Sequence, residues 1–86
     1  MLDYYVLEDA KRKGLLVRQD TRNLEEMFYN VSTSQWEDCD FLLEYMDMEN
    51  ENFGQYTQIS DKEAVVYLNR LMFMKFYDDG FAYPDL

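Results

Sequence analysis

The sequence predicts an all-α protein: a compact bundle of about four helices around a C-terminal central helix, residues about 61–78, with a short irregular aromatic tail behind it. Two observations carry that expectation. Ser60 and Glu63 have the spacing of a capping box, and Ile59 is placed to staple onto Ala64, so a helix should open here. Behind it, apolar residues from Ala64 to Tyr77 wrap most of the helical circumference and leave a narrow polar strip through Lys62, Asn69 and Arg70. A helix that is apolar nearly all round belongs in the middle of a fold, with Leu68, Leu71 and Met72 as its expected core contacts. Arg70 and Lys75 interrupt it too often for a membrane span.

The other elements follow in chain order. Asp3 to Lys13 reads as a first helix, because Glu8–Arg12 and Asp9–Lys13 are acid-to-base pairs four apart and Gly14 is placed to end it. Leu15-Leu16-Val17 fits a packed connector or a brief strand, with the connector favoured. Asp20 or Asn23 can cap a short second helix whose inward face is Leu24, Met27, Phe28 and Val31. Ser34 and Glu37 make a second capping box, opening a third helix that runs to about Met48. Residues 50–58 read as a loop carrying Phe53 and Tyr56. Asp78-Asp79-Gly80 stops the last helix, and Phe81, Tyr83 and Pro84 make the tail.

All 86 residues form a single small acidic helical domain in this reading, with one core. Hydrophobic residues at 48% and aromatics at 17% separate it from disordered chains despite a net charge of −10. That charge is unevenly placed. Residues 23–61 hold ten acids and no Lys or Arg, whereas the flanking segments nearly balance. On a third helix, Glu37, Asp40, Glu44, Asp47 and Glu51 would fall in one line of carboxylates about 5 Å apart along the axis. Trp36, Cys39, Leu42, Leu43 and Met46 would dock on the central helix, and Phe41, Tyr45 and Met48 would form an aromatic edge beside the acids. The simplest reading of such a row is a solvated helix face, but solvated faces usually mix charge signs, so an unrelieved acidic row also fits a binding surface for a basic partner. Mutual repulsion in such a row should raise the pKa values of Asp40, Glu44 and Asp47.

Several functions are excluded by composition. The chain has no His, the commonest general base and transition-metal ligand, so no enzyme, cofactor or metal site is expected. Cys39 lies between Asp38 and Asp40, which disfavour a reactive thiolate. Residues 47–58 lack the sixth-position glycine and twelfth-position glutamate of a calcium loop. Direct nucleic-acid binding needs a basic stripe, and this one has the opposite sign. With no signal-like apolar run and one cysteine, a cytoplasmic setting in a host cell is expected.

What remains is an inhibitor whose ordered carboxylates occupy the basic groove of a nucleic-acid-handling protein as a nucleic-acid mimic, touching it through Glu37, Asp40, Glu44, Asp47 and Glu51 with Phe41 and Tyr45. Small phage-borne anti-defence proteins, of anti-CRISPR and anti-restriction type, are similar in size and charge, a likeness of character rather than of motif. The alternative is a non-mimetic adaptor or regulatory subunit that uses the aromatic edge, self-association as a homodimer included.

Overall fold

The computed structural model describes residues 1–77, with side chains as far as residue 73. Five strands and two helices follow in the order β1 (Leu2–Leu7), β2 (Leu16–Asp20), β3 (Glu26–Asn30), β4 (Gln35–Asp38), α1 (Leu42–Met46), β5 (Tyr56–Ile59) and α2 (Asp61–Tyr77). The strands make one antiparallel sheet in the spatial order β4-β3-β2-β1-β5. The expected all-α helical bundle is thereby overturned: the first and second helices of that reading contain β1 and β3, the third divides into β4 and the five-residue α1, and the segment 50–58 contains most of β5.

The physical reason is burial on both faces. Val6 and Leu16 point to one side of the sheet with Tyr29, Val31 and Ile59, beneath Ala64, Tyr67 and Leu71 of α2. Tyr5, Leu7, Leu15 and Val17 point to the other side, beneath Leu42 and Tyr45. Strands covered on both faces lose the apolar-polar alternation that marks a strand and read as continuous apolar runs, as residues 4–7 of β1 do. The acid-base pairs of 8–13 sit in the β1–β2 turn, not on a helix. Gly14 ends that turn with φ +86°, its N–H bonded to the Leu7 carbonyl at 2.7 Å. The Leu15-Leu16-Val17 run opens β2 instead of connecting helices.

Strands β1 to β4 form an up-and-down meander with registers Tyr5↔Val17, Val17↔Phe28 and Tyr29↔Trp36. The chain then crosses one face of the sheet through residues 39–55 and returns as β5 on the far side of β1, pairing Tyr4↔Ile59. Helix α2 covers the opposite face.

That last helix stands where its capping box places it. The Ser60 N–H donates to Glu63 Oε1 at 3.1 Å and the Glu63 N–H to Ser60 Oγ at 3.2 Å, and Ile59 and Ala64 share one core cluster. It is a cover, not a centre. Ala64, Tyr67 and Leu71 are buried and Leu68 packs beside them, but Met72, an expected core contact, is 46% exposed. Val65 and Val66 also face outward. The expected stop at 78–80 and the aromatic tail lie outside the described residues.

Two stability outcomes follow from this core. Leu16 is fully buried in the middle strand, so Leu16→Ala should cost about 2–5 kcal/mol in a denaturant titration. Leu24, in the β2–β3 loop, adopts φ +61° while 68% exposed, a conformation that side chains with a Cβ resist. Leu24→Gly should therefore stabilise the fold by about 0.5–1 kcal/mol, after allowing for the extra freedom glycine gives the unfolded chain.

Candidate functional site

The acidic segment that stands out in the sequence is the layer that crosses the sheet. It is not a long helix. Only Leu42–Met46 is helical, and of the five carboxylates expected on one line, Glu44 alone lies on it. Glu37 is on β4, Asp40 in the connection from β4 to α1, and Asp47 and Glu51 in the turns after α1. The regular row is thus overturned, because its three-and-four spacing falls on a strand, a connector, one helical turn and a loop.

The layer is tied to the sheet by polar bonds. Glu26 of β3 accepts the N–H groups of Phe41 at 2.5 Å and Leu42 at 3.2 Å, supplying the anionic cap that the start of α1 lacks from its own side chains. The same carboxylate accepts the Cys39 thiol proton at 3.0 Å. Burial, helped by this carboxylate, pushes the Cys39 thiol up to about 12, so it is protonated and inert at neutral pH.

The second tie is Arg12, from the β1–β2 turn. Its guanidinium lies 4.1 Å over the Phe41 ring, donates to Glu44 at 3.1 Å and reaches the Tyr45 hydroxyl at 3.3 Å. Asn52 donates to the same Glu44 oxygen at 3.1 Å. The Tyr45 hydroxyl in turn donates to Asp9, a carboxylate only 4% exposed. Burial first, and then the bond to Asp9, push the Tyr45 phenol up to about 12.

These ties redistribute the expected contact residues. Tyr45 is fully buried, and Phe41 is half-buried between Arg12 and the Phe28 ring, so the expected aromatic edge is largely interior; Met48, at 81% exposure, is its exposed member. Glu37 is occupied by Asn30 at 2.8 Å and Thr33 at 3.1 Å, and Glu44 by Arg12 and Asn52. Asp40, Asp47 and Glu51 remain exposed, and Asp38 and Glu49 join them. Among the described residues, no ion pair reaches any of these five. Of the apolar residues expected against the last helix, Trp36 packs in that cluster, whereas Leu42 and Cys39 pack on the opposite face and Leu43 and Met46 are exposed.

The site therefore combines an anchored inner side with an outer side of exposed carboxylates. Its anchors, Glu26, Arg12 and Asp9, have no local sequence signature, since each bonds a residue at least 15 positions away. Among the described residues no group of three or more Cys, Asp or Glu side chains has the geometry to hold a metal ion. No helix of the described chain is long and apolar enough to cross a membrane.

The direction of Glu44 reverses the repulsion argument made for it. The Arg12 and Asn52 hydrogen bonds hold its carboxyl below the usual glutamate value, and the Arg22 side chain lowers Asp20 to about 2. A lowered folded pKa stabilises above the unfolded value and is lost as pH falls through the folded one. The melting temperature should therefore drop as pH falls from about 4.5 towards 2. Cys39 and Tyr45 work in the other direction: their stabilisation is present below their ordinary values and should be lost as pH rises towards about 12. A melting curve across both windows checks the two signs. Arg12→Met, which keeps length but removes the charge, should cost about 1–3 kcal/mol by denaturant titration.

Comparison with protein-family models, with curated proteins and with solved structures returns no match for this chain.

Proposed function

We propose that the protein is a non-enzymatic, acidic protein-binding module that inhibits a partner by occupying its basic surface, the groove of a nucleic-acid-handling protein being the surface its charge fits best. One observation carries the reading: between residues 38 and 51 the chain has six acids and no Lys or Arg, and five of them are exposed, Asp38 at the end of β4 and Asp40, Asp47, Glu49 and Glu51 on the layer hydrogen-bonded to the sheet. Like charges held together without relief cost stability in the free protein and are neutralised only when a basic surface covers them. The anchoring supports the reading too, since a backbone segment held in place before binding loses less conformational entropy on association.

The strict mimic, a helical row at regular phosphate-like intervals, is not part of this proposal. Nor does the adaptor reading keep its aromatic edge, because Tyr45 is fully buried.

The test begins with a partner captured from the host lysate on the immobilised protein. Asp40→Lys with Glu49→Lys places bases where acids would meet bases and should weaken binding by several kcal/mol. Both side chains are exposed, so circular dichroism and melting should be unchanged or slightly improved. Glu25→Lys with Asp61→Lys, acids outside the layer, should leave binding nearly intact. Wild-type binding should also fall sharply between about 0.1 and 0.5 M salt, as the screening length drops from roughly 10 to 4 Å, and nucleic acid should compete. Binding that survives both reversal and salt would overturn the proposal.

A further inference from the structure

The acidic layer also exposes large apolar side chains in the same stretch as its carboxylates. Leu43 is 78% exposed, Met46 42%, Met48 81% and Phe53 49%, four large apolar residues within the span 43–53. Leu43 and Met46 are three apart on α1, on a flank turned about 100° from Leu42 and Tyr45, which face the sheet. Met48 follows directly. Phe53 is brought back beside the end of α1 because the Gly54 N–H bonds the Tyr45 carbonyl at 2.9 Å. Asp40 lies before this apolar group in the chain, and Asp47, Glu49 and Glu51 are interleaved with it.

Exposed apolar side chains contribute nothing to holding a purely polar, phosphate-binding groove, and contiguous ones mark a contact that removes them from water. Two methionines suit them to a partner surface of irregular shape, because the thioether chain adapts at little cost. The layer cannot close on a second copy of itself face to face, since acids would then oppose acids. An anionic lipid surface is repelled for the same reason.

Resting on the reading of this layer as a surface for a basic partner, we propose that the element it takes is an amphipathic basic helix, one with large apolar side chains along one stripe and Lys or Arg on both flanks. The apolar stripe lies on Leu43, Met46, Met48 and Phe53. The flanking bases meet the exposed carboxylates of Asp40, Asp47, Glu49 and Glu51. This is recognition of a helix by an apolar surface with an acidic rim, in which apolar burial supplies affinity and charge supplies orientation.

The experiment uses two synthetic Lys/Leu peptides of about 18 residues and identical composition. One has leucines at i, i+3, i+4 and i+7, and the other has them permuted around the helix. In fluorescence anisotropy the wild-type protein should bind the amphipathic peptide about 10-fold or more tightly than the permuted one. Leu43→Ser with Met48→Ser should reduce the first affinity to the second. Both side chains are about four-fifths exposed, so an unchanged melting curve shows that the fold is intact. Asp40→Lys with Glu49→Lys should abolish binding of both peptides. Equal affinity for the two peptides, still lost on charge reversal, would overturn the helix inference and leave the acidic surface standing. Absence of salt-sensitive binding to either peptide would overturn both.

Discussion

The constraint on which the structure depends is that its inner strands are apolar on both faces. Val6 and Leu16 on one side and Leu7 and Val17 on the other are all at most 3% exposed, so the sheet needs a cover on each face from a chain of 86 residues. Helix α2 supplies one by ordinary means, placing Ala64, Tyr67 and Leu71 inward at helical spacing and donating the Tyr67 hydroxyl to the Gly14 carbonyl. The other cover has just one short helix and two fully inserted side chains, Leu42 and Tyr45. Apolar contact alone fixes such a segment poorly, and so it is pinned by Glu26 beneath the start of α1 and by Arg12 over Phe41, Glu44 and Tyr45. These bonds are partly buried and charge-assisted, the class that contributes most per bond and costs most when one partner is removed.

How this layer carries charge follows from how it is held. Carboxylates that face inward are consumed by the structure: Asp9 by Tyr45, Glu26 by two backbone N–H groups and a thiol, and Glu44 by Arg12 and Asn52. Those facing outward are left on a rigid support beside exposed Leu43 and Met48. The separation explains why a count of acids in the sequence overstates what a partner would meet, and why the directions of Glu44 and Asp20 run opposite to simple crowding.

The sequence was legible at its C-terminal end and misleading before it. The Ser60–Glu63 box marks α2 because capping is a local interaction, complete within four residues. In and around β3, by contrast, Leu24, Met27, Phe28 and Val31 satisfy a helical pattern by coincidence: Phe28 belongs to one face of the sheet, Val31 to the other, and Leu24 to neither core. A signal for the sheet was present in the turn residues, with Gly14, Asn23 and Ser32 to Ser34 recurring about every ten positions, the rhythm of short strands joined by tight turns. The candidate site was legible as a charged segment and not as a geometry, since its anchors join residues 13 to 36 positions apart and no periodicity relates them.

The place of β1 in the sheet has a consequence for how the chain is made. One side of this strand meets β2 through a local turn, but the other side waits for β5, where Tyr4 pairs with Ile59 across 55 intervening steps of chain. During synthesis the meander of β1 to β4 is complete while β1 is still an open apolar strand at one border, and the face that α2 covers is roofed last. Until residues 56–59 emerge, that border can accept any extended segment, from another nascent copy included.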